Sequence, residues 1–88
     1  MDIADLQQFV VLARTQHVGR AAEELSLSPS AVSKMLQRLE QMSKTRLFDR
    51  VGRSLRLNSD GNRLLLRCQP LLNEFAQLRA EFLGSASP

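Results

Sequence analysis

The stretch LSLSPSAVSKMLQRLE, residues 25–40, decides how this chain folds. It opens with serines and a proline, then takes on helical spacing. Ser28 suits an N-cap, and Pro29 suits the first helical position, where a missing N–H costs nothing. From there Val32, Leu36 and Leu39 fall on one face, with Met35 beside them. Ser30, Ser33, Lys34, Gln37 and Gln41 fall on the opposite face. The apolar side needs a core to pack against. The polar side has two readings, a solvated face or a surface that meets the edges of bases.

Toward the N-terminus, Ile3, Leu6, Phe9, Val10 and Ala13 mark a first amphipathic helix, with Asp2 placed to cap it. TQHVG, residues 15–19, breaks it, and a short helix follows at RAAEEL, residues 20–25. Ala21 and Ala22 are small enough for another helix to approach closely. Leu27 is expected to plug the next turn into the core. Two helices joined by a tight turn make a helix-turn-helix over about residues 18–37, and the third helix should reach about Met42.

Toward the C-terminus, RLFDRVGRSLRLN, residues 46–58, changes period. Leu47, Phe48, Leu55 and Leu57 sit in two short runs around Gly52 and Arg53, which predicts a β-hairpin. Asn58 or Ser59 then caps a last helix. In it Gly61, Leu64, Cys68, Leu71, Phe75, Leu78 and Phe82 alternate by three and four, as a heptad seam does. A helix of about 24 residues extends about 36 Å, longer than so small a domain can cover. The seam therefore predicts a homodimer. Pro70 lies off the seam and is expected to kink the helix. GSASP at the end reads as linker.

Composition narrows the function classes. The 88 residues, 43% of them hydrophobic, make one small globular domain. No apolar run approaches the roughly 20 residues of a membrane span, and MDIADLQQF lacks the regions of a signal peptide. A single cysteine excludes an internal disulfide. Together these favour the cytoplasm, with no membrane partner. Residues 1–33 carry a net charge of −2 and residues 57–88 a net of zero. Residues 34–56 hold Lys34, Arg38, Lys44, Arg46, Arg50, Arg53 and Arg56 against only Glu40 and Asp49, a net of +5. A phosphate-binding surface requires such a concentration, although a solvated basic face also has one. No carboxylate pair, nucleophile–base set or glycine-rich phosphate loop supports an enzyme. His17 has no second His or Cys near it, and the four phenylalanines are spaced as core or interface rather than as a base-stacking platform. Neither a metal nor another cofactor is expected. The competing reading is a helical module that binds another protein; the +5 segment and the arginine-bearing hairpin argue against it.

Along nearly its whole length the chain resembles the N-terminal DNA-binding region of LysR-type transcriptional regulators. The matching blocks are LQQFVVLA (6–13), RAAEEL (20–25), LSPSAVSKMLQRLE (27–40), RLFDR (46–50), LRLNSDG (55–61) and LLLRCQPLL (64–72), and the spacing between them matches too. Molybdate-responsive regulators have similar winged helices, but the SPSAVSKMLQRLE block fits the LysR type better. The resemblance implies a mainly α fold. A winged helix-turn-helix of three helices and a small β-hairpin spans residues 1–58, and a long dimerising linker helix spans 59–88. It implies sequence-specific binding of double-stranded DNA at inverted-repeat operators by a homodimer, or by a tetramer at full length. Members continue into a larger effector-binding domain resembling periplasmic binding proteins. This chain lacks it and reads as a fragment, so a small-molecule effector would act only through that domain. When bound to DNA, the regulator would associate with the bacterial nucleoid.

The base-contacting positions of the family map onto Pro29, Ser30, Ser33 and Lys34, with Gln37 on the same face. The wing arginine maps onto Arg53, which could enter a neighbouring minor groove. Arg50 either contacts phosphate or pairs with Asp49 or Glu40, and Arg20 and Arg38 are further phosphate contacts. Leu64, Cys68, Leu71, Phe75, Leu78 and Phe82 are the expected dimer interface. Three departures stand out. Pro29 replaces a frequent glutamine, losing an amide able to read adenine; its ring could touch a thymine methyl or serve only to start the helix. Gly19 stands where a serine or threonine often caps the second helix. Ser43-Lys44 replaces a usual Leu-Gly pair, losing an apolar contact that Met42 could partly restore and a glycine suited to a left-handed helix end.

Overall fold

Side chains start every helix of this fold. Residues 1–84 are described by a computed structural model, and residues 85–88 of the expected linker lie outside them. The elements run α1 (Ile3–Thr15), α2 (Val18–Leu25), α3 (Pro29–Ser43), β1 (Phe48–Val51), β2 (Ser54–Leu57) and α4 (Ser59–Phe82). Asp2 caps α1 in a reciprocal box with Asp5, each carboxylate accepting the other's backbone N–H at 2.9 Å. Ser28 Oγ accepts from Ala31 N at 3.1 Å, and Asn58 Oδ1 from Gly61 N at 2.8 Å. The cap of α2 is His17, whose Nδ1 accepts from Arg20 N at 3.2 Å. Gly19, read as a weak cap, is instead the second residue of that helix.

Three helix ends turn left-handed without a glycine: Gln16 at φ 49°, Ser26 at 57° and Lys44 at 57°. Lys44 thus takes the conformation that the missing glycine would make cheap. Two packing expectations change here. Leu27 is 39% exposed and does not plug the turn. Its backbone closes the turn by donating to the Ala22 carbonyl at 2.9 Å, while Ala21 and Ala22 fill the core beneath. Met42 also stays at the surface, and Ser43 folds its hydroxyl back onto the Leu39 carbonyl at 3.0 Å.

The core joins α1, α2 and α3 to the hairpin through Phe9, Leu12, Ala21, Val32, Leu36, Leu39 and Phe48, with the Phe9 and Phe48 rings 5.7 Å apart. The strands pair antiparallel from Phe48↔Leu57 to Val51↔Ser54, which leaves Gly52 (φ 61°) and Arg53 as a two-residue turn. The hairpin is fastened from two sides. Glu40 Oε2 at the end of α3 accepts from Leu47 N at 2.8 Å and Phe48 N at 3.3 Å. Gln16 accepts from Leu55 N through its carbonyl at 2.9 Å and from Leu57 N through its side chain at 3.2 Å. The result is the expected mainly α winged helix-turn-helix.

The heptad seam of α4 divides. A Cβ on Gly61 would stand 2.2 Å from the Leu47 carbonyl oxygen, so α4 starts hard against the chain entering β1. Leu64 packs partly against the core, and Cys68 is 1% exposed within it. Burial pushes the Cys68 thiol pKa up. Cys68 therefore belongs to this chain's own core and not to a surface open to a partner, because the first turns of α4 spend their apolar side on α1 and β2. Beyond it Leu71 is 57% exposed, Phe82 72% exposed and Leu78 exposed, while Phe75 is half-buried beneath the Arg79 guanidinium. The helix continues without interruption through Pro70.

Candidate nucleic-acid interface

Because Val32, Met35, Leu36 and Leu39 commit one side of α3 to the core, its opposite side is fixed outward. Ser30, Lys34 and Gln37 are exposed there and Ser33 is half-buried. The Ser28 and Ser30 hydroxyls lie 3.3 Å apart at the start of the helix, where free backbone N–H groups and the helix dipole favour an anion. Short side chains at this end let the helix backbone come close to whatever it docks on.

The wing stands beside that end. A cleft of about 330 Å³ is lined by Pro29 and Ser33 of α3 together with Arg50, Gly52, Arg53, Ser54 and Leu55 of the hairpin. His17, Val18 and Gly19 at the start of α2 complete its lining. Four of the expected contact residues (Pro29, Ser33, Arg50 and Arg53) thus share one concave surface. Ser30, Lys34 and Gln37 lie outside its lining, on the exposed face of the same helix. Arg20 is exposed in the first turn of α2.

Two arginines resolve differently from one another. Among the described residues Arg50 has no ion-pair partner, since Glu40 is occupied by the backbone of β1 and Asp49 makes no salt bridge. Arg50 is among the residues that line the cleft. Arg38 bonds the buried Asp5 carboxylate on α1 and so braces α3, although much of its side chain remains exposed. A second pair, Arg14 with Glu24, links the end of α1 to α2 and holds the Glu24 carboxyl below its ordinary range. The capping role of His17 and the hold of Gln16 on the hairpin escaped sequence reasoning. Cap chemistry was the available signal for His17, because an imidazole nitrogen can accept a backbone N–H as a serine oxygen does. Among the described residues no His, Cys, Asp or Glu cluster could hold a metal ion, and no helix is long and apolar enough to cross a membrane.

An exposed polar helix face beside an arginine-tipped hairpin is the arrangement of a winged helix-turn-helix. Residues 3–62 match the family described as bacterial regulatory helix-turn-helix protein, lysR family. The chain belongs to the LysR family. LysR-family relatives include an uncharacterised HTH-type transcriptional regulator, YybE of Bacillus subtilis, 39% identical over the whole chain but with only 30% of its own length covered. The HTH-type transcriptional regulator IlvY of Escherichia coli is 39% identical over 90% of the chain, which covers 27% of IlvY. The chain thus spans less than a third of these relatives. Among solved structures, full-length OxyR C199D of Pseudomonas aeruginosa superposes over 100% of the chain and 30% of its own, with a TM-score of 0.81 at 31% identity. The BenM DNA-binding domain in complex with catB site 1 DNA shares the fold, with a TM-score of 0.86 over 100% of this chain and 98% of that one, at 24% identity. LysR-family proteins are transcriptional regulators rather than enzymes, and this chain carries the family's helix-turn-helix region.

Proposed function

We propose that this chain reads double-stranded operator DNA with α3 in the major groove and the wing at the adjacent minor groove, within a longer regulator of transcription. The carrying observation is the cleft between α3 and the hairpin, where Pro29 and Ser33 face Arg50 and Arg53. B-DNA's major groove, about 12 Å wide, accepts such a helix. In this reading Pro29, Ser30, Ser33, Lys34 and Gln37 meet base edges. Arg53 enters the minor groove, and Arg50, Arg20 and the free edge of Arg38 meet phosphates. Pro29 contributes its ring to a thymine methyl besides starting the helix. Residues 1–58 supply the reading unit. The distal seam of α4 (Leu71, Phe75, Leu78 and Phe82) pairs with a second copy, so that two α3 helices address an inverted repeat. Tetramer formation and the response to a small-molecule effector fall to the remainder of the regulator, acting in the cytoplasm on the nucleoid.

The test is titration of a labelled duplex, selected from randomised DNA by the unsubstituted chain, at several salt concentrations. Lys34→Ala should cost about 1–3 kcal/mol if the lysine bonds a base edge. Arg53→Ala should weaken binding and flatten the salt slope by about one unit if the arginine neutralises one phosphate. If both variants titrate like the unsubstituted chain, this surface is not the interface.

A further inference from the structure

Gln16 holds the wing through both its main chain and its side chain. Its carbonyl accepts from Leu55 N at 2.9 Å and its Oε1 from Leu57 N at 3.2 Å. Beside it His17 forms a single antiparallel bridge with Ser54. The hairpin is thereby hydrogen-bonded onto the segment that starts α2, along the strand that leads back from Arg53. Gln16 does this at φ 49°, a left-handed conformation that glycine adopts freely and glutamine does not. For the backbone alone, glycine would serve better and would keep the carbonyl bond to Leu55. The bond to Leu57 is what only the side chain provides. Leu57 ends β2, and Arg53 lies in the turn just before that strand begins. β2 is already held by its pairing with β1 and by the bond at Leu55; the bond at Leu57 adds a second fastening to the α1–α2 segment, at the end of the strand away from the turn.

We infer that Gln16 is a positioning residue of the DNA interface. Its side-chain amide sets the angle of the wing against α3, and so sets which DNA step beside the major-groove site Arg53 reaches. This rests on the wing contacting DNA as proposed above, so the experiment separates the two claims. Gln16→Gly, Arg53→Ala and the double variant are titrated against the labelled duplex selected by the unsubstituted chain. Backbone amide exchange is followed by NMR in the free proteins. Gln16→Gly should keep or raise the melting temperature and keep protection at Leu55, while the Leu57 amide exchanges faster. It should weaken binding about tenfold in the otherwise unchanged chain, the scale of one lost DNA contact, and less than about twofold where Arg53 is already alanine. An equal loss in both backgrounds, no loss of affinity, or unchanged Leu57 protection would overturn the role of Gln16. Unchanged binding by Arg53→Ala alone would instead overturn the interface reading, and the role of Gln16 with it.

Discussion

Arg38 sits at the margin of the exposed face of α3, and its guanidinium turns toward α1 to meet Asp5, 33 residues earlier. The Asp5 side chain is 7% exposed, and Asp2 N supplies its other hydrogen bond. Without Arg38 a nearly buried carboxylate keeps only that one donor. Arg38→Ala is therefore expected to destabilise the chain by about 1–2 kcal/mol, below the cost of breaking a fully buried pair because solvent reaches the arginine. Urea unfolding measures this, and an unchanged midpoint would show that the pair adds nothing. Residues of this kind mark the limit of reading by pattern. Local spacing places Arg38 on α3 and counts its charge, but no spacing rule links it to a carboxylate on another helix. The same holds for His17, which looks like a loop residue until its ring is seen to close the first turn of α2. By contrast Ser28, Pro29 and Asn58 act where sequence rules put them, since capping depends only on neighbours three residues away.

At the scale of elements, α4 carries the sharpest constraint. Its first turn meets the chain at Leu47 through Gly61, with no room for a methyl group. The obstacle is a backbone carbonyl, which cannot rotate aside as a side chain can. Gly61→Ala should cost about 1–3 kcal/mol and lower the melting temperature, since α4 must shift off β1 to admit the methyl. A fully tolerated alanine would contradict so close an approach. The spacing of the seam was legible; its destination was not. Periodicity of three and four reports that one side is apolar, without saying whether it faces the same chain or another. Gly61, Leu64 and Cys68 face home, while Leu71, Leu78 and Phe82 remain open. The hairpin and its Gly52-Arg53 turn were legible, whereas the strand bounds and register were not, and Leu47 falls just before β1.

The whole molecule is elongated, with principal extents of 43 × 26 × 18 Å, and the distal part of α4 lies beyond the core. Element order and architecture followed from the sequence. The facing of α3 and wing across one cleft did not, since it depends on Gln16 and Glu40 fastening the hairpin from two sides. Leu71→Glu places a charge in the open part of the seam, at a position that takes no part in the chain's own core. It is expected to leave the fold intact while producing monomers with much weaker affinity for an inverted repeat. Sedimentation of the variant beside the unsubstituted chain checks this; a wild-type monomer even on DNA would remove the dimer from the proposal.

The left-handed ends at Ser26 and Lys44 have an evolutionary consequence. Each residue holds a conformation that glycine would take with less strain, and neither belongs to the proposed reading face. Ser26→Gly is expected to raise stability by about 0.5–1 kcal/mol, visible as a higher melting temperature; a lower one would deny the strain. Substitutions at the half-buried or helix-starting positions of the proposed reading face, Ser33 and Pro29, are the ones expected to weaken the fold. Here the scaffold keeps untapped room at two sites away from that face. A lineage, or an engineer, could move this protein to a new operator and restore the lost stability without touching the core.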